Sequence, residues 1–197
     1  MTIKTFNINT DKTAFVRAYL PDSIAGLPFC EKRPAVLIFP GGGYEYCSDR
    51  EGEPIALQYL ALGYAAFVVT YSCNERFPEP LMDAAYIFYK IRMRAEEFKI
   101  DPQKMAVLGC SAGGHLAGCL ATMWSDIALT KTIGCEPEDL RPNAAILCYP
   151  VISGVTAPHE GSFKVLLGED ASRSDLSRLS LENRVTPKTP PVFIWAT

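Results

Sequence analysis

The run Gly109-Cys110-Ser111-Ala112-Gly113 sets a serine between two glycines in the pattern GxSxG. A serine hydroxyl becomes a nucleophile toward carbonyl carbon when a base removes its proton. Flanking glycines allow a strand-to-helix turn too tight for side chains, with the serine oxygen thrust out above a sheet. From the glycine and serine content, chance alone would give the pattern roughly 0.05 times in a chain this long. The bland alternative is that Ser111 only caps the helix after it. A second cluster, Gly41-Gly42-Gly43, follows an apolar run and reads as a loop whose backbone N–H groups can approach a ligand closely. Acyl transfer builds negative charge on the former carbonyl oxygen, and preorganised N–H groups are its cheapest stabiliser. Gly42, Gly43 and Ala112 are the candidate donors. The alternatives are a ligand-free turn or a phosphate loop, but no GKS, GKT or GxGxxG occurs.

A hydroxyl of this kind needs a histidine and a carboxylate behind it. The chain has 2 histidines. His115 falls one helical turn after Ser111, where packing is expected rather than proton transfer. His159 follows a strand end and can line a cleft; the carboxylates between it and Ser111 are Asp126, Glu136, Glu138 and Asp139, all in one excursion after the elbow helix. The 7 cysteines are odd in number and lack CxxC spacing, so reduced, mostly buried thiols are expected, without a disulfide framework or a zinc site. Neither a metal nor an organic cofactor is called for.

Short apolar runs alternating with helical patterns predict an α/β fold around a largely parallel sheet. Residues Thr5 to Asn9 and Thr13 to Tyr19 read as an edge hairpin around Asp11-Lys12. Ala35 to Phe39 is a buried strand leading into the glycine loop. Ser48-Asp49-Arg50-Glu51 has the spacing of a capping box, predicting a helix with Ile55, Leu57, Leu60 and Leu62 inward and Gly63 at its end. Ala65 to Tyr71 is the next strand. Leu81, Ala84, Phe88, Ile91 and Ala95 recur at spacings of three and four, predicting one helix from Pro80 to Phe98. Lys104 to Leu108 is a strand feeding the GxSxG turn, and His115 to Trp124 is the helix after it. Ala144 to Tyr149 is a further strand, followed by an irregular stretch of roughly forty residues and a last apolar run, Val192 to Ala196, expected to be buried on both faces.

The chain is 197 residues long, enough for one domain with its own core. Apolar residues make up 48%, charged residues 21%, and the net charge is −3, which excludes disorder and disfavours a nucleic-acid platform. No apolar stretch approaches membrane-spanning length, and Met1 to Asn7 lacks the apolar core of a signal peptide. A cytoplasmic protein without a membrane partner is expected, of undetermined oligomeric state.

Three segments carry a resemblance: Phe39-Pro40-Gly41-Gly42-Gly43-Tyr44, Ser48-Asp49-Arg50-Glu51-Gly52-Glu53-Pro54, and Gly109 through Ala117. They resemble the small bacterial esterases of the α/β-hydrolase superfamily, in the hormone-sensitive-lipase-like and acetyl-xylan-esterase-like branch. His159 to Phe163 and Pro190 to Thr197 are similar to later segments of that group. The resemblance implies one α/β-hydrolase domain over 1–197, with a mostly parallel sheet flanked by helices. It implies Ser111 as nucleophile, Gly42, Gly43 and Ala112 as oxyanion donors, and a short-chain ester substrate such as an acetylated sugar. Pro40 stands where many relatives carry histidine, which leaves the donors untouched. In that group the acid follows the strand ending near Thr197 and the histidine comes later, so the native protein is expected to be longer and this stretch alone nearly inert. Tyr44, Tyr46 and residues 153–188 are candidate pocket walls. A peptidase of the same fold and a non-catalytic binding module are the rival readings.

Overall fold

The computed structural model describes residues 1–7, 14–23, 30 and 32–196. Seven strands form one sheet: β1 (Thr2–Asn7), β2 (Phe15–Leu20), β3 (Arg33–Phe39), β4 (Ala65–Thr70), β5 (Ile100–Cys110), β6 (Ala144–Cys148) and β7 (Val192–Trp195). Their spatial order is β1-β2-β4-β3-β5-β6-β7. The β1–β2 and β2–β4 pairs are antiparallel, and β4, β3, β5, β6 and β7 run parallel. The edge hairpin is therefore present, although Asp11-Lys12 lies outside the described residues.

Alternation along the strands divides the core in two. Ala35, Leu37 and Phe39 of β3, with Ala65, Phe67 and Val69 of β4, face a cluster shared with helices α2 (Glu79–Met93) and α4 (Ala112–Met123). Val36, Ile38 and Ala66 face the opposite side, against Ala56 of α1 (Glu53–Ala61). Both faces of the central strands are covered, as an uninterrupted apolar run demands.

Several boundaries differ from expectation. The long helix ends at Met93, and a separate turn, α3 (Ala95–Phe98), follows after Arg94 leaves helical geometry at φ −103°, ψ 26°. The stripe of α1 is narrower than the spacing implied: Leu57 and Leu62 are exposed, and only Ala56 is fully covered. The excursion after the elbow helix holds α5 (Ile127–Ile133) and α6 (Pro137–Leu140). The stretch before β7 is not irregular; it contains α7 (Glu160–Leu167) and α8 (Arg173–Leu179). Strand β7 pairs with β6 as expected but is not buried, since Phe193 and Ile194 are 64% and 55% exposed. Among the described residues, no helix is long and apolar enough to cross a membrane. All seven cysteines are free thiols, three buried and four half-buried.

Candidate active site

Strand β5 delivers Ser111 to the turn, and α4 departs from it at Ala112. Ser111 has φ 53° and ψ −119°, a conformation that costs a non-glycine residue about 1–3 kcal/mol and persists only where its surroundings enforce it. Here the surroundings are backbone. The Ser111 N–H donates to the Cys148 carbonyl at 3.0 Å, and the Ser111 carbonyl accepts from the N–H groups of His115 and Val151, each at 3.1 Å. A Cβ on Gly109 would lie 2.0 Å from the Gly113 carbonyl oxygen, and one on Gly113 2.0 Å from the Phe39 carbonyl oxygen. The two glycines of the motif are therefore steric necessities, and the second presses the elbow directly onto the end of β3.

The glycine loop leaves β3 opposite this turn. A Cβ on Gly41 would come within 3.0 Å of the Ser111 Cβ, so loop and serine are in van der Waals contact. Gly42 and Gly43 have φ of 129° and 66°, and a Cβ on Gly42 would collide with the Tyr46 carbonyl at 2.1 Å. The loop closes on itself through Glu45 N–H to the Gly42 carbonyl at 3.0 Å. The N–H groups of Gly42 and Gly43 donate to no acceptor among the described residues.

Side chains from distant elements hold this loop. Glu51 Oε2 accepts from the Gly41 N–H at 2.7 Å, and its Oε1 accepts from the Tyr149 hydroxyl at 2.9 Å. The expected capping box is thus corrected: Ser48 precedes only a short 3₁₀ turn, Asp49–Glu51, and makes no side-chain cap. The Glu51 carboxylate serves the loop because the orphan Gly41 amide is within reach. On the other side, Tyr71 donates its hydroxyl to the Pro40 carbonyl at 2.7 Å.

Tyr44 is not a pocket wall. It is 1% exposed, and its hydroxyl lies 2.7 Å from His115 Nδ1. His115 Nε2 lies 2.8 Å from the Leu179 carbonyl, which only accepts, so Nε2 carries the proton and Nδ1 accepts from Tyr44. Both nitrogens are committed, and burial pulls this imidazole's pKa down to about 4. His115 therefore joins the glycine loop to α4 as a neutral hydrogen-bonded partner, in keeping with the packing role its helical position implied. The four candidate acids are spent elsewhere. Asp126 caps α5, Glu136 and Asp139 form the capping box of α6, and Glu138 pairs with Arg141.

Two clefts share Ser111. One, about 610 Å³, is lined by Tyr149, Ile152, Ser153, Thr156, His159 and Glu182. The other, about 330 Å³, is lined by Gly42, Gly43, Glu45, Tyr46, Arg50 and His159. The segment after β6 thus does wall the site, and Tyr46 does so with 58% exposure. A larger hollow of about 860 Å³ lies over α1, beside Arg17 and Glu53, and does not include Ser111. Beside the serine, burial raises the Cys110 thiol to about 12, leaving it protonated and inert. Burial, then hydrogen bonds with Cys110 and Glu51, also raise Tyr149, which stays a donor to Glu51.

Glu51 and Tyr149 were not legible as site residues. The signals were that Glu51 follows the glycine loop by a few residues and lies in a segment that carries the family resemblance, but the capping pattern offered that glutamate a local use.

A strained serine between a parallel strand and a helix, faced by a glycine loop on the neighbouring strand, defines an α/β hydrolase. The chain belongs to the BD-FAE family, whose match covers residues 28–196. It is 37% identical over 173 residues to endo-1,4-beta-xylanase B of Butyrivibrio fibrisolvens, covering 84% of this chain and 27% of that protein. It is 31% identical over 200 residues to an acetylxylan esterase of Xylanibacter ruminicola, covering 96% of this chain and 37% of that protein. The chain thus spans between a quarter and two fifths of these relatives' length. The crystal structure of an acetyl ester-xyloside bifunctional hydrolase from Caldicellulosiruptor lactoaceticus superposes with a TM-score of 0.81 at 35% identity, covering 96% of this chain and 68% of that one. A carboxylesterase from Lactobacillus plantarum superposes with a TM-score of 0.81 at 26% identity, covering all of this chain and 72% of that one.

Proposed function

We propose that the protein is a serine carboxylesterase acting on short-chain esters, acetylated sugars among them. The observation that carries this reading is Ser111, held by backbone at the mouth shared by two clefts and in contact with a glycine loop in which the Gly42 and Gly43 amides have no acceptor among the described residues. Ser111 Oγ attacks the ester carbonyl and its proton passes to a base. The N–H groups of Gly42, Gly43 and Ala112 stabilise the tetrahedral oxyanion, each donor contributing about 3 to 4 kcal/mol to the transition state. Collapse expels the alcohol with a proton from that base, and water then releases the acyl group from Ser111. Relatives named acetylxylan esterase and acetyl ester-xyloside hydrolase support the acetyl-sugar assignment.

The base is neither histidine of this chain: His115 has both nitrogens bonded, and His159 Nδ1 lies 2.9 Å from Ser162 Oγ. It and its acid come, in this reading, from outside residues 1–197. Fluorophosphonate labelling of full-length protein tests the proposal. The expected adduct maps to Ser111 and vanishes in Ser111→Ala, with kcat lower by on the order of a million-fold. An adduct on another serine overturns it. Faster turnover of an aminoacyl anilide than of p-nitrophenyl acetate would instead indicate the peptidase of the same fold.

A further inference from the structure

Among the described residues, His159 is the one side chain besides Ser111 that borders both clefts. Its ring is anchored. As the residue capping α7 it accepts the Ser162 N–H on Nδ1 at 3.3 Å, and the Ser162 hydroxyl lies 2.9 Å from the same nitrogen. A backbone N–H can only donate, so Nδ1 is the unprotonated nitrogen and Nε2 bears the hydrogen. The neighbouring Cε1 faces the glycine loop, 4.0 Å from where a Cβ on Gly43 would stand. The cap thus fixes the tautomer, and the ring that borders both clefts carries its hydrogen on Nε2. The larger cleft sets Ser153, Thr156 and Glu182 beside an apolar wall of Pro150, Val151, Ile152 and Ala157, so it offers partners both to hydroxyl groups and to the apolar face of a sugar ring.

We propose that His159 is a specificity residue whose Nε2–H binds a hydroxyl or ring oxygen of the sugar moiety of the ester, an inference that rests on the esterase reading above. Asparagine and glutamine separate this role from capping. The Asn amide oxygen reproduces Nδ1 and is a preferred cap, whereas the Gln amide nitrogen reaches toward the position of Nε2 and caps poorly. Thermal midpoint, kcat and KM would be measured for full-length protein and for His159→Asn, His159→Gln and His159→Ala, on an acetylated xyloside and on p-nitrophenyl acetate, with Ser111 labelling in parallel.

Recognition by Nε2–H requires that His159→Asn keep its melting temperature yet lose about tenfold in kcat/KM on the xyloside, carried by KM, with a clearly smaller loss on p-nitrophenyl acetate. His159→Gln should recover xyloside turnover while melting lower. Equal losses on both substrates, or xyloside losses that track the melting temperature across the three variants, overturn the inference while labelling stands. Absence of labelling at Ser111 in the unmutated protein overturns the esterase reading and this inference with it.

Discussion

On one side of the reactive cleft, the elbow is closed by main chain against main chain: added carbons at Gly109 and Gly113 would each sit 2.0 Å from a carbonyl oxygen. On the other side, the glycine loop is suspended from side chains, with Gly41 on Glu51, Pro40 on Tyr71 and Tyr44 on His115. A Cβ at Gly43 would find nothing nearer than the His159 ring at 4.0 Å. The proposed nucleophile is therefore placed by covalent geometry that no rotamer can relax, and the proposed oxyanion donors by a hydrogen-bonded scaffold spread over distant parts of the sequence. The first arrangement tolerates almost no substitution at its glycines. The second shares that intolerance at Gly42, where a Cβ would sit 2.1 Å from the Tyr46 carbonyl oxygen, but fails by degrees at Gly43 and at its side-chain ties.

Two alanine substitutions test that contrast most severely. Gly113→Ala drives a carbon into the Phe39 and Pro40 carbonyls, backbone atoms that cannot swing away, and is expected to destabilise the fold by at least about 3 kcal/mol. Gly43→Ala has space and keeps its N–H, so its cost is the left-handed φ of 66° alone, about 1–2 kcal/mol. Urea unfolding midpoints of the two variants check the ordering. Equal losses would mean that the elbow relaxes as readily as the loop, and the contrast would dissolve.

Next in size is the effect of cutting a suspension point. In Glu51→Ala the Gly41 amide and the Tyr149 hydroxyl both lose their acceptor, and the amides that follow Gly41 lose their fixed aim. Misplacement of about 1 Å in such a constellation costs roughly 10²-fold, and it should appear in kcat, with KM nearly unmoved, because the oxyanion exists only in the transition state. Glu51→Gln keeps an oxygen for one donor and should recover part of the rate. Unchanged kcat in Glu51→Ala would show that the loop holds its shape without the carboxylate.

The same contrast explains how much could be read from the residues alone. The apolar runs that became β3 and β4, the order of elements around GxSxG and the glycines at 109 and 113 were legible, because local sterics and burial on both sheet faces leave few alternatives. Tyr44 was misread as a pocket wall and Glu51 as a helix cap. Each has a plausible local use, and its actual partner lies far along the chain: His115 for one, Tyr149 for the other. His159 as a tautomer-fixed donor needed the α7 cap to be seen.

The smallest expected effect comes from the Tyr44–His115 suspension, through pH. The folded imidazole has a pKa of about 4, held down by burial, against about 6.5 in an unfolded chain. Between these values the unfolded state binds a proton that the folded state refuses, so lowering the pH favours unfolding, and above about pH 7 the group contributes no slope. Going from pH 8 to pH 5.5 should remove about 1.4 kcal/mol through this residue. Other groups titrate in the same window, so the measurement is a difference. Unfolding free energies of the wild type and of His115→Gln, taken at both pH values, should converge as the pH falls, because only the wild type carries the imidazole. Parallel pH profiles would show that the ring accepts its proton without leaving Tyr44 and Leu179, and that this tie between loop and helix is looser than its geometry implies.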